Sequence, residues 1–162
     1  MREETKRNLR IYAIAIAIPL IVGAVAALLT RNSMDVYNEV KTPPLAPPRI
    51  LFPIAWTILY VLMGVSSGMI RKARETEPKN ADRGLSFYAV SLAFNFAWSL
   101  IFFNFRQYLF AFFWLLILWG LILGTILSYR KVRPIAAYLQ IPYAVWVTFA
   151  GYLNIGIWFL NR

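Results

Sequence analysis

The chain contains no cysteine and no histidine. Disulfides, a thiolate nucleophile, an imidazole base and an imidazole metal ligand are thereby excluded. A haem iron would find only Tyr or Met among its usual protein ligands. Acidic residues are scarce too: seven in 162, against seventeen basic ones. Glu3, Glu4, Asp35, Glu39, Glu75, Glu77 and Asp82 all fall outside the long apolar stretches. With no carboxylate in those stretches, nothing in them can relay protons or bind a coupling cation, which disfavours pumps and ion-driven transporters. Paired-carboxylate catalysis, a histidine-based triad and a zinc site lack their components. The reading calls for no cofactor and no metal.

What fills the chain instead is hydrocarbon. Sixty per cent of residues are hydrophobic, 17% aromatic and only 15% charged, too little polar surface for a soluble domain of this size. Segments 11–30, 50–70, 84–105, 107–129 and 134–161 contain no Asp, Glu, Lys or Arg. Each meets the roughly 20 apolar residues needed to cross a bilayer core. The expected fold is an all-α, five-transmembrane-helix bundle forming one domain over 1–162. The first segment carries a basic flank and an Ala24-Val25-Ala26 triplet, as a signal peptide would. Its apolar run continues past that triplet, so it reads as a retained helix.

A net charge of +10 suggests nucleic acid at first sight. Lys and Arg flanking membrane spans more simply set orientation, and no nucleic-acid partner is expected. Arg2, Lys6, Arg7 and Arg10 in the N-terminal tail share one side with Arg71, Lys72, Arg74, Lys79 and Arg83 and with Arg130, Lys131 and Arg133. The other side has only Arg31, Lys41, Arg49, Arg106 and Arg162. The positive-inside rule then places the N-terminus in the cytoplasm and the C-terminus outside.

Small residues and polar residues mark the helix faces. Gly64 and Gly68, Gly120 and Gly124, and Ala89, Ala93 and Ala97 recur at four-residue intervals, which lets backbones approach closely. Such stripes pack within the bundle or form a homodimer seam; spacing does not choose between the two. No internal repeat of the inverted-transporter kind is visible. Trp56 and Tyr60 share a face, as do Asn95, Trp98, Ser99 and Phe102, and Trp146, Phe149, Ala150 and Asn154. With spans two, three and five oriented as above, these faces converge on one layer between the bilayer centre and the outer surface. They read as a pocket for a large, flat, mostly apolar molecule, or as core packing with helix-bridging amides. Trp158, Tyr108 and Tyr129, near span ends, read as interfacial anchors.

The stretch TPPLAPPRILFPIAW, residues 42–56, leads into the second span with Pro43, Pro44, Pro47, Pro48 and Pro53. Together with what precedes it, VYNEVKTPPLAPPRILFPIAWTILYVLMG resembles the WYxxLxKPxxxPPxxxFxxxWxxLYxxMG signature of the TspO/MBR family, the tryptophan-rich sensory or translocator proteins. NFAWSLIFFN is similar to that family's third helix and LQIPYAVWVTFAGYLNIGIWFLN to its fifth, so the resemblance covers residues 34–161. It implies a five-helix bundle that binds porphyrins such as protoporphyrin IX, sterols, and benzodiazepine-type or isoquinoline ligands under the first loop. Carried over by position, it implies a ligand site of Tyr37 and Pro47 from the loop, Trp56 and Tyr60, Asn95, Trp98 and Ser99, and Trp146, Phe149, Ala150 and Asn154. Trp56 and Trp146 correspond to a pair linked to light- and oxygen-dependent porphyrin breakdown, and are the candidates for any catalytic role. The loop, 31–49, is then expected to be a stiff lid that delivers Pro53 to the first turn of the second span.

Two departures from the family pattern matter. Val36 and Thr42 stand where the signature has Trp and Lys, so the loop loses an aromatic and a charge. Tyr152 lies ten residues before Arg162, and Ile155 stands where animal members carry Tyr, which breaks the sterol pattern. The expectation is a porphyrin-binding membrane sensor or scavenger, with a porphyrin-degrading enzyme or a small-molecule translocator as alternatives.

Overall fold

Prolines punctuate the bundle. Pro78 and Pro134 occupy the first helical position of the helices they open, where the missing N–H would be unsatisfied anyway. Pro53 falls in the first turn of its helix, as expected. In the computed structural model, which covers residues 1–162, α1 spans Arg2–Thr30, α2 Val36–Glu39, α3 Leu51–Ala73, α4 Pro78–Ser99, α5 Tyr108–Val132 and α6 Pro134–Asn161. There are no strands. All but the one-turn α2 are long and apolar enough to cross a membrane, and they match the five predicted spans.

The helices overrun the charge-free segments, most of all α1, which begins nine residues before the span at 11–30. Absence of charge marks the hydrocarbon, not the end of the helix, and polar turns continue the hydrogen-bond ladder into the interface. Glu3 and Glu4 sit in the first turn of α1, where acidic side chains complement the helix dipole. The lid segment also departs from a purely irregular strap: α2 forms within it, before the prolines begin.

At its far end α4 runs on as a π-helical turn, Leu100–Asn104. The Phe105 N–H donates to the Leu100 carbonyl at 3.0 Å and the Gln107 N–H to Ile101 at 3.1 Å. Arg106 turns the chain with a positive φ of 53°. Nothing in the periodicity of NFAWSLIFFN announces this widened turn.

Around the bundle, α1 packs on α3, α3 on α6, α6 on α5 and α5 on α4, while α4 closes only loosely back onto α1. The α1–α3 approach is set by glycine. A Cβ at Gly64 would lie 2.5 Å from Ile16 Cα, and one at Gly68 would lie 2.6 Å from the Tyr12 ring. This stripe is therefore spent inside the molecule. Gly124 likewise meets the Phe87 ring, whereas Gly120 faces open space. Ala89 and Ala93 are exposed on α4, with Ala97 half-buried.

Tyr129 corrects an expectation. It is completely buried, with its hydroxyl 2.8 Å from Ser67 Oγ, so it is a core residue and not an interfacial anchor. Proximity to a span end gave its depth but not its direction. Nearby, Gln140 Nε2 donates to Ser66 Oγ at 3.2 Å and Ser66 to the Ala136 carbonyl at 2.7 Å. These bonds tie α3 to α5 and α6 in the half of the bundle remote from the lid.

Gly64→Val should force α1 off α3 and lower the thermal midpoint of purified protein, at a cost of about 1–3 kcal/mol, the scale of overpacking. Gly120→Ala, which meets nothing, should leave the midpoint unchanged.

Candidate functional site

On the lid side, where α1 and α4 meet only loosely, the bundle encloses a cavity of about 380 Å³. This falls within the roughly 300–1,000 Å³ of small-molecule sites. Its aromatic wall comes from Phe52, Trp56 and Tyr60 on α3, Trp98 on α4, and Phe102 and Phe103 on the π-helical turn. Ser99, Ala150, Leu153, Asn154 and Ile157 line the side facing α6 and α4, and Met34 and Tyr37 come from the loop. Leu20, Gly23, Ala24, Ala26, Ala27 and Thr30 give an α1 wall, with Pro53 and Thr57 completing the α3 side. No charged side chain lines it.

Of the residues singled out in the sequence, Tyr37, Trp56, Tyr60, Trp98, Ser99, Ala150 and Asn154 border this cavity. Pro47, Asn95, Trp146 and Phe149 stand behind it. The Pro47 carbonyl accepts the Tyr37 hydroxyl at 2.8 Å. Asn95, almost wholly buried, donates through Nδ2 to the Tyr60 hydroxyl at 3.2 Å. Trp146 meets Trp56 edge-on, with ring centroids 6.4 Å apart, and also contacts Phe52 at 6.0 Å and Phe149 at 5.7 Å.

Asn154 is a joint as well as a wall residue. Its Oδ1 accepts the Trp98 indole N–H at 3.0 Å, and its Nδ2 donates to the Tyr108 carbonyl at 2.7 Å. The bridge joins α6 to α4 and α5 and holds Trp98, which stacks on Phe102 at 5.3 Å. Trp56 and Tyr60 stack at 5.5 Å, as their four-residue spacing predicts.

The α1 wall was not legible in the sequence, because a surface of Gly and Ala carries no aromatic or polar mark. Its signal is Gly23. Any Cβ there would collide with the Tyr60 ring, so glycine is what lets Tyr60 lie against α1. Phe103 is brought in beside Phe102 by the widened π turn, a geometry common at functional sites.

The lid is docked, not loose. Prolines lack an N–H but keep a carbonyl acceptor, and two of these accept side-chain hydroxyls: Tyr152 donates to Pro44 at 2.6 Å and Tyr37 to Pro47. Asn161 clasps Lys41 with two bonds, accepting its backbone N–H at 3.0 Å and donating to its carbonyl at 2.9 Å. Pro43 is buried against Gly156, where a Cβ would lie 2.7 Å from the proline ring. Burial raises the Tyr37 hydroxyl above its ordinary pKa, so it remains a donor across the physiological range. Arg49 pairs with Asp35 at 2.6 Å and Arg106 with Glu39 at 3.5 Å, exposed contacts of small worth. Leu45, exposed at the lid's crest, holds a positive φ of 69°.

A bundle of five membrane-spanning helices with a neutral, aromatic-walled cavity under a proline lid defines a compact class of multi-pass membrane proteins. The TspO/MBR family matches residues 15–159. Protein CrtK of Rhodobacter capsulatus is 32% identical over 154 residues, covering 95% of this chain and 94% of its own. The translocator protein of Bos taurus is 37% identical over 146 residues, 90% of this chain and 86% of its own. The tryptophan-rich protein TspO of Chlorobaculum tepidum is 32% identical over 150 residues, 92% and 94%. The chain belongs to the TspO/MBR family.

Asn154→Leu removes the partner of two polar groups at once. It should lower the thermal midpoint, costing about 1–3 kcal/mol. Phe149→Leu, which breaks no hydrogen bond, should cost less in the same melt.

Proposed function

We propose that this protein is a membrane receptor for tetrapyrroles such as protoporphyrin IX, serving as a sensor or scavenger. The observation that carries the reading is a neutral cavity walled by seven aromatic rings, with no charged side chain in its lining. A macrocycle's flat apolar face would gain from stacking on Trp56, Trp98 and Phe102. Its carboxylates would stay at the mouth, within reach of Lys41 or of Arg49, which could exchange its exposed partner Asp35 for the ligand. The docked lid limits the ordering cost of closing over a ligand. We place the lid and C-terminus outside and the N-terminus in the cytoplasm, on the asymmetry of basic residues. A homodimer through Ala89 and Ala93 is supported by their exposure on α4.

A second reading, oxidative porphyrin breakdown, is favoured by one observation: Trp56 borders the cavity and touches Trp146. It requires product formation in excess of free-porphyrin bleaching under the same light, lost in Trp56→Phe. A translocator would show flux in proteoliposomes above empty vesicles; with no charged group in the cavity, the expected flux is slow or absent.

Protoporphyrin IX should quench intrinsic tryptophan fluorescence saturably at micromolar concentration; a linear, unsaturable decrease would defeat the receptor reading. In Ala150→Thr, the added bulk and hydroxyl at the cavity wall should weaken binding by about 1–2 kcal/mol, roughly five- to thirty-fold, with the fold retained. Ala93→Leu should shift the oligomer toward monomer in light scattering without changing porphyrin affinity.

A further inference from the structure

On the face opposite the lid, a second cavity of about 440 Å³ lies between the start of α1 and the end of α3. Arg7 and Arg10 border it from α1, Arg71 from the last turn of α3 and Arg74 from just beyond it, with Ile11 and Ile14 beneath and a single carboxylate, Glu75. The contact of Gly68 with Tyr12 holds these helix ends together. Glu75 pairs with Arg7 at 3.5 Å, and Arg74 turns to Asp82 at 2.5 Å. Arg10 and Arg71 have no acidic partner within salt-bridge distance. Orientation signals need only lie on one side of a membrane. Convergence of four guanidinium groups on one groove is a further property, and with only Arg7 and Arg74 paired to carboxylates it leaves Arg10 and Arg71 as an uncompensated positive pair.

The groove also sits at a definite depth. Arg10 is the last charge before the apolar run of α1. From the groove floor an exposed stripe continues along α1 through Ile14, Ile18, Ile21, Val25 and Leu28. Planar guanidinium groups bind phosphate oxygens bidentately, and basic pockets between membrane helices suit anionic head groups. A soluble anion has no use for an apolar floor or the track below it. We infer that this groove binds one anionic phospholipid, its phosphate on Arg10 and Arg71 and an acyl chain along Ile14, Ile18 and Ile21.

The test is native mass spectrometry of purified protein titrated with phosphatidylglycerol or phosphatidylcholine. Wild type should retain phosphatidylglycerol preferentially. Arg10→Gln and Arg71→Gln should each weaken that retention by a factor of about five, the scale of one interfacial cation. The double variant should lose roughly ten- to thirty-fold and leave phosphatidylcholine unaffected. Arg130→Gln/Lys131→Gln removes equal charge from the same face outside the groove and should retain the lipid as wild type does. Equal retention of both lipids, or equal loss in the Arg130/Lys131 control, would overturn the site. Displacement of the lipid by millimolar inorganic phosphate would overturn its assignment to phospholipid and leave a soluble-anion groove. The single variants, at exposed positions, keep the question answerable should the double variant fold poorly.

Discussion

A side-chain amide inside a hydrocarbon slab has no solvent to turn to, so its partners must be found within the bundle. Asn154 meets that constraint by spending both ends of its amide, on the Trp98 indole and on the Tyr108 carbonyl. One residue thereby joins three helices at the level of the cavity and holds Trp98 against Phe102. In the other half of the bundle the rule is met only in part: Gln140 donates through Nε2 to Ser66 while its Oε1 has no partner, and Ser67 with Tyr129 completes the links from α3 to α6 and α5. Without a hydrophobic drive between helices in lipid, such bonds and close backbone contacts carry the association. Gly64 and Gly68 supply the close contact between α1 and α3.

These two devices leave the cavity where they are absent. The α1–α3 pair is drawn tight by glycine, and α4, α5 and α6 are drawn together around Asn154. The loose meeting of α1 with α4 is what remains, and the cavity opens beside it. Over this gap lies the lid, whose stiffness has a simple origin. Proline fixes φ and removes donors, so the stretch from Pro43 to Pro48, beyond α2, cannot collapse into helix or sheet. Its carbonyls remain free to accept Tyr37 and Tyr152. The chain's least helical segment can therefore be anchored over its most helical one.

Charge is partitioned as strictly as polarity. The cavity near the lid is neutral, whereas the groove at the opposite face gathers four arginines around one glutamate. In a medium that penalises buried charge, a molecule bound in the first must be largely apolar within the walls, and one bound in the second must be anionic. The two sites thus divide ligand chemistry by depth, one within the bilayer thickness and one at its edge.

The span count, the lack of charged residues within the spans and the shared face of Trp56 and Tyr60 follow from composition and periodicity alone. Apolar length and 3.6-residue spacing are local properties, and lipid leaves few alternatives to a helix. Tertiary structure decided what each face meets. Trp146, on the same helix face as Ala150, stands behind Trp56 and not at the cavity. Asn95 is turned to the Tyr60 hydroxyl. Tyr129, at a span end, is buried in the core. The α1 wall had no mark to read, since Gly23 and its alanine neighbours act by leaving room, and room exists only once Tyr60 has been placed against them. The π turn that brings in Phe103 likewise depends on how α4 ends against α1 and α5, where Asn104 donates to the Leu29 carbonyl at 3.1 Å. Periodicity fixes a residue's direction relative to its own helix axis; only packing fixes how that axis is turned toward its neighbours.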